Sequence, residues 1–204
     1  MHWLSSADDT APVLPAVWLI ATLAQPANLP ERSALRRSLA RKILARQFGL
    51  AEDAVEIGHE PAGRPLIIAP HGSGLHLSLA TRAGLVAVAL AHWPVGVDVE
   101  QVALAGEPPL AMLHSTEQRW LEGVPAPARP LAFAQLWSAK EAYVKAVGTG
   151  FARALESFAV QIDGTERFTV VDELDGHRAS GFIRLTKNGG HETMAAAFIT
   201  LDQA

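Results

Sequence analysis

The chain has 204 residues, 49% of them apolar and 19% charged, with a net charge of -4. That balance excludes a disordered tail, a collagen-like fibre and a basic protein that coats nucleic acid. The absence of cysteine excludes disulfides, thiolate metal sites and a Cys nucleophile.

Asp8 and Asp9 stand where a secretion signal would need a basic and then an apolar region. The central apolar run from Leu85 to Ala91 is far shorter than the roughly 20 residues of a membrane span. A soluble, cytoplasmic protein is expected. Residues 16–20 form an apolar stretch that suits a buried strand. Residues 31–50 then hold six basic side chains (Arg32, Arg36, Arg37, Arg41, Lys42, Arg46) against one acid, Glu31. Leu35, Leu39 and Ile43 recur at spacing four, which predicts one buried helical face, and Gly49 suits the helix end. The basic face is either a solvated surface or an anion-binding patch.

A short strand is predicted at 55–57, a turn at 59–65 and a loop at 70–74. Strands at 75–78 and 85–90 follow, joined by a turn near Arg82-Ala83-Gly84. The second of these is apolar at every position, so both of its faces should be covered. A turn at His92-Trp93-Pro94 leads into a strand at 95–100. After a loop with Gly106, Pro108 and Pro109, Ser115 is read as the cap of a helix over 116–122. A longer helix is predicted over 131–147, ended by Gly148 and Gly150. The last third alternates short β-like runs with turns, and Asn188-Gly189-Gly190 marks a hairpin.

Two groups of residues go beyond packing. Asp98 and Glu100 stand at i and i+2, so a strand points both to one face while Val97 and Val99 point to the other. Two like charges there are either solvent-facing acids or ligands of a hard, oxygen-preferring ion such as Mg²⁺. In the second group, Glu141 and Lys145 are i, i+4 neighbours on a helix that Trp137, Tyr143 and Val147 mark as largely buried. Lys140 adds a further cation. The pair is either an ordinary surface ion pair or a carboxylate and lysines serving a metal–phosphate site.

Together, Gly96-Val97-Asp98-Val99-Glu100 and Trp137-Ser138-Ala139-Lys140-Glu141-Ala142-Tyr143-Val144-Lys145 resemble the two signature motifs of the 4′-phosphopantetheinyl transferases. The subgroup most similar is the monomeric, two-lobed type. The resemblance implies transfer of 4′-phosphopantetheine from coenzyme A to a serine of an apo acyl or peptidyl carrier protein, with release of 3′,5′-ADP. It implies Mg²⁺ on Asp98, Glu100 and Glu141, and phosphate contacts from Lys145 and Lys140. Glu117 matches a family acid that would complete the metal site or help deprotonate the serine. Gly63-Arg64-Pro65 resembles a segment that places a basic residue, here Arg64, beside the nucleotide. Arg32 corresponds by position to a basic residue near the ribose 3′-phosphate.

One segment departs from the family pattern. An Asn-x-Ser-His-Ser-like run that touches phosphate corresponds here to Leu75-His76-Leu77-Ser78-Leu79-Ala80. Ser78 is kept, but Leu79 stands where His is expected. A coenzyme A-binding module with weakened or lost transfer is therefore the alternative reading, and a Mg²⁺-dependent diphosphate hydrolase is a second. The expected fold is α/β (α+β), with pseudo-symmetric lobes over 1–98 and 99–204. Each lobe would have a small, mainly antiparallel sheet packed by a long helix, and the site would lie between them. Neither a nucleic acid nor a membrane partner is expected.

Overall fold

The computed structural model describes residues 1–24, 26–103, 108–149 and 153–201. The first half contains β1 (His2–Leu4), β2 (Ala16–Ala21), α1 (Leu29–Phe48), β3 (Glu56–His59), β4 (Pro65–Ala69), β5 (His76–Arg82) and β6 (Leu85–Ala91). The second half contains β7 (Val95–Gln101), α2 (Ser115–Gly123), α3 (Arg129–Val147), β8 (Ala159–Asp163), β9 (Arg167–Asp172), β10 (His177–Lys187) and β11 (Thr193–Thr200). Two larger sheets result, in the orders β1-β2-β6-β5 and β7-β11-β10-β9-β8, with β3 and β4 forming a separate hairpin. The pairing in both is antiparallel except that β1 runs parallel to β2. The chain crosses between the sheets at 92–94, because β7 pairs with β11 from Val95 onward.

The sheets lie face to face, each with its long helix outside. Trp18, Val86, Val88 and Leu90 pack with Ile43 and Leu44 of α1. The alternate residues Val17, Leu85, Ala87 and Ala89 meet Val95, Val97, Val99 and Phe198 of the second sheet. Leu136, Ala139 and Tyr143 of α3 pack on Phe168, Ile183, Ala197 and Ile199 from the far side. The unbroken apolar run of β6 is thus explained, since one side faces a helix and the other faces a sheet.

The helix ends follow local chemistry. The Asn28 side chain accepts from the Glu31 backbone N–H at 2.9 Å, and Gly49 closes α1 in the left-handed region at φ 68. Gly148 closes α3 in the same way at φ 82. Gly150, also read as a terminator, and Gly106 lie outside the described residues. The cap of α2 is His114 rather than Ser115. Its Nδ1 accepts from the Thr116 N–H at 3.3 Å, and its own N–H donates to Glu117 Oε2 at 2.7 Å.

β7 is the hinge of the arrangement. Its valines enter the core between the sheets, so Gly96, Asp98 and Glu100 face α3. A Cβ at Gly96 would lie 1.7 Å from the Ala142 carbonyl oxygen, so only glycine lets α3 sit this close. Gly96→Ala should lower the unfolding free energy by about 3 kcal/mol through overpacking. Urea unfolding of the variant checks this, and an unchanged midpoint would contradict the close seat.

Candidate active site

The close seat of α3 on β7 brings four sequence-predicted residues to one joint. Asp98 and Glu100 rise from β7, and Glu141 and Lys145 from α3. Lys145 Nζ lies 2.7 Å from Asp98 Oδ1 and donates to the Val97 carbonyl at 3.1 Å. Glu100 Oε1 is 3.1 Å from Arg82 Nε at the end of β5, so this contact joins the two sheets. The Glu141 side chain has no hydrogen bond or ion pair among the described residues.

All three carboxylates hold their protons more tightly than usual. For Asp98, burial pushes the carboxyl up and Lys145 opposes it. For Glu100, burial again leads, opposed by Arg82. For Glu141, burial is joined by the negative charge of Asp98, with Lys145 opposing. Holding three half-buried negative charges together is costly, and an added cation would relieve that cost. An all-oxygen, all-anionic donor set fits a hard divalent ion. As the side chains lie, no three carboxylate or imidazole groups among the described residues are gathered tightly enough to share one ion. Asp98 is drawn to Lys145 and Glu100 to Arg82.

Two recesses flank the joint. The smaller, about 240 Å³, is lined by Arg32, Thr81, Arg82 and Gln101 among others. Thr81 is among these residues, and its Oγ1 is buried without a hydrogen-bond partner. The larger, about 770 Å³, runs from Glu100 past Gln118 and Leu121 to Phe133 and Trp137. Those two rings stack at 5.5 Å. A polar, cationic chamber therefore adjoins a larger, mainly apolar one, with Arg82 and Gln101 lining both.

The other expected residues are placed differently. Ser78 is buried, and its hydroxyl accepts the Val97 N–H at 3.1 Å, which ties β5 to β7. Leu79 packs into the core under α1, so the side chain at that position points away from the joint. The β5 residues that reach the smaller recess are Thr81 and Arg82. Arg64 forms a forked pair with Glu60 at 3.0 and 2.8 Å. Its guanidinium lies against Gly148 at the end of α3, where a Cβ would come within 2.7 Å of it.

Glu117 and Lys140 meet each other rather than the joint. Lys140 Nζ lies 2.6 and 2.8 Å from the two Glu117 carboxylate oxygens and donates to the Phe158 carbonyl at 2.9 Å. Glu117 also accepts from the Val160 N–H at 2.7 Å. Both side chains are 0% exposed. Consecutive helical residues point about 100° apart, so Lys140 enters the core while Glu141 faces β7. Removing either partner of such a pair strands a buried charge and generally costs about 3–5 kcal/mol.

The raised carboxylates carry a stability consequence. An acid whose folded pKa exceeds its unfolded value penalises the folded state once it is charged, and the penalty disappears as pH falls through the folded pKa. Glu141→Gln should therefore raise the thermal midpoint of the metal-free protein near neutral pH. The gain should shrink as the pH falls toward the ordinary glutamate range, where wild type is itself protonated. Thermal melts across pH check this, and a lower midpoint at neutral pH would contradict it.

Comparison with known proteins points the same way. The 4'-phosphopantetheinyl transferase superfamily profile matches residues 94–198. The chain is 25% identical over 140 residues to 4'-phosphopantetheinyl transferase gsp of Aneurinibacillus migulanus, covering 66% of this chain and 56% of that protein. It is 26% identical over 132 residues to 4'-phosphopantetheinyl transferase Sfp of Bacillus subtilis (strain 168), covering 64% and 58%. It is 28% identical over 141 residues to 4'-phosphopantetheinyl transferase HetI of Nostoc sp., covering 64% and 56%. The chain thus spans less than two thirds of the length of these relatives. No helix among the described residues is long and apolar enough to cross a membrane.

Proposed function

The chain belongs to the 4'-phosphopantetheinyl transferase superfamily, and from that premise we propose that it moves 4′-phosphopantetheine from coenzyme A to a serine of an apo carrier protein. The observation that carries this reading is the convergence of Asp98, Glu100, Glu141 and Lys145 beside a recess lined by Arg32, Thr81 and Arg82. Carboxylates for a divalent cation and cations for phosphate stand side by side, as a diphosphate donor requires.

Asp98, Glu100 and Glu141 would hold Mg²⁺. When bound, the ion neutralises charge on the diphosphate and on the leaving phosphate. Lys145 would contact the same phosphates and add a fixed positive charge at the reacting centre. Arg32 and Arg82 receive the remaining phosphate oxygens. Arg64, at the end of α3, steadies the nucleotide side. Ser78 acts through its bond to Val97, which fixes β7 under the site.

The serine oxygen attacks the phosphorus that carries pantetheine. The bond from that phosphorus to the bridging oxygen breaks, and 3′,5′-ADP leaves carrying that oxygen. The serine proton passes to a base, and Glu141, which would hold the cation, is not free to be that base. Glu117 is saturated by Lys140 and two backbone N–H groups, so its role is to brace α2, α3 and β8. An acidic carrier would find local positive charge on α1. There Arg36, Arg37 and Arg41 remain after Asp8 has engaged Lys42 and Arg46.

Intact mass of an apo carrier after incubation with the protein, coenzyme A and Mg²⁺ tests this reading. A phosphopantetheine adduct should form, disappear with chelator, and be lost in Glu141→Gln. No adduct on several carrier types, with coenzyme A binding intact, would replace the transferase reading with a coenzyme A-binding module.

A further inference from the structure

Arg82 occupies an unusual place. It ends β5 of the first sheet, yet its guanidinium pairs with Glu100 of the second. It lines both the smaller polar recess and the larger apolar one, so it stands in the wall between them. The pair is a single Nε contact at 3.1 Å rather than a fork, and the Arg82 side chain is 50% exposed. Its backbone is better held. The neighbouring Ala83 adopts φ 45, and its carbonyl accepts from Asn188 Nδ2 at 2.7 Å. The base of the side chain is anchored while its head is free to swing.

Charge arithmetic gives that freedom a use. The joint holds three carboxylates and two cations, Lys145 and Arg82. A divalent cation binding alone would turn this net negative group positive inside a half-buried site. An anion binding alone would meet the unpaired Glu141. Cation and anion together restore balance, provided that Arg82 leaves Glu100 for the anion. The place it would move to already holds Arg32.

We propose that Arg82 is an exchangeable counter-ion that neutralises Glu100 in the unliganded protein and passes to a phosphate group of the substrate when a divalent cation takes Glu100. Arg82 is on this account a positioning residue that couples the two binding events. Each ligand then strengthens the other, by the same factor in both directions. The inference rests on the reading of the joint as a cation and diphosphate site.

Titration of Mn²⁺, followed by calorimetry and by its electron paramagnetic resonance signal, tests the coupling without turnover. Wild type should bind Mn²⁺ weakly alone and at least about tenfold more tightly with coenzyme A present. Arg82→Gln should bind Mn²⁺ alone about two- to fivefold more tightly, because Glu100 loses its competitor. Its coenzyme A enhancement should fall. Arg82→Lys, which keeps the charge, should restore the weak binding of Mn²⁺ alone. If Arg82→Gln leaves both Mn²⁺ affinities unchanged, or weakens Mn²⁺ binding in the absence of coenzyme A, the exchange is overturned. If wild type binds no Mn²⁺ even with coenzyme A, the reading of the joint itself falls, and this inference with it.

Discussion

The contact between α3 and Gly96 is the constraint on which the rest depends. A helix seated directly on a strand backbone leaves no room for side chains beneath it, so the flanking residues meet at the edges of the contact. On β7 these are Asp98 and Glu100, and on α3 they are Glu141 and Lys145. Three acids and a lysine are gathered where an ordinary core would have placed aliphatic groups. The burial that raises their proton affinities comes from the same contact.

The second determinant is the way the two sheets meet. β5 is the edge strand of one sheet and β7 the edge strand of the other. Ser78 bonds across that seam to Val97, and Asn188 reaches from the β10–β11 turn to the turn after β5. These bonds fix the cationic end of the first sheet beside the acidic edge of the second. The packed interior between the sheets, with Val17, Leu85 and Ala89 against Val97 and Phe198, keeps the seam rigid. The first half thus supplies Arg32 and Arg82, the second the carboxylates with Lys145, and the site is complete only when both halves are docked.

Much of this was legible in the sequence, because it follows from periodicity. The i, i+2 acids on an alternating strand, the i, i+4 pair on a helix and the doubly covered β6 are local patterns, and the structure follows them. Leu35, Leu39 and Ile43 likewise line the inner side of α1. What was not legible depends on pairings between distant segments. Lys140 looks like a site residue because it adjoins Glu141, yet its partner is Glu117, on another helix. Thr81 carries no motif, and its place in the smaller recess arises only where the N-terminal end of α1 comes beside the end of β5. Ser78 and Leu79 show the same limit. One is spent on joining two strands, and the other faces the core.

The central claim is that Asp98, Glu100 and Glu141 form one cation site at the joint of β7 and α3. Anomalous diffraction from crystals grown with Mn²⁺ and coenzyme A tests it most directly. The account predicts a Mn²⁺ peak bounded by these three carboxylates, with coenzyme A phosphate oxygens completing its coordination. A peak elsewhere, with Lys145 still on Asp98 and Arg82 still on Glu100, would contradict it.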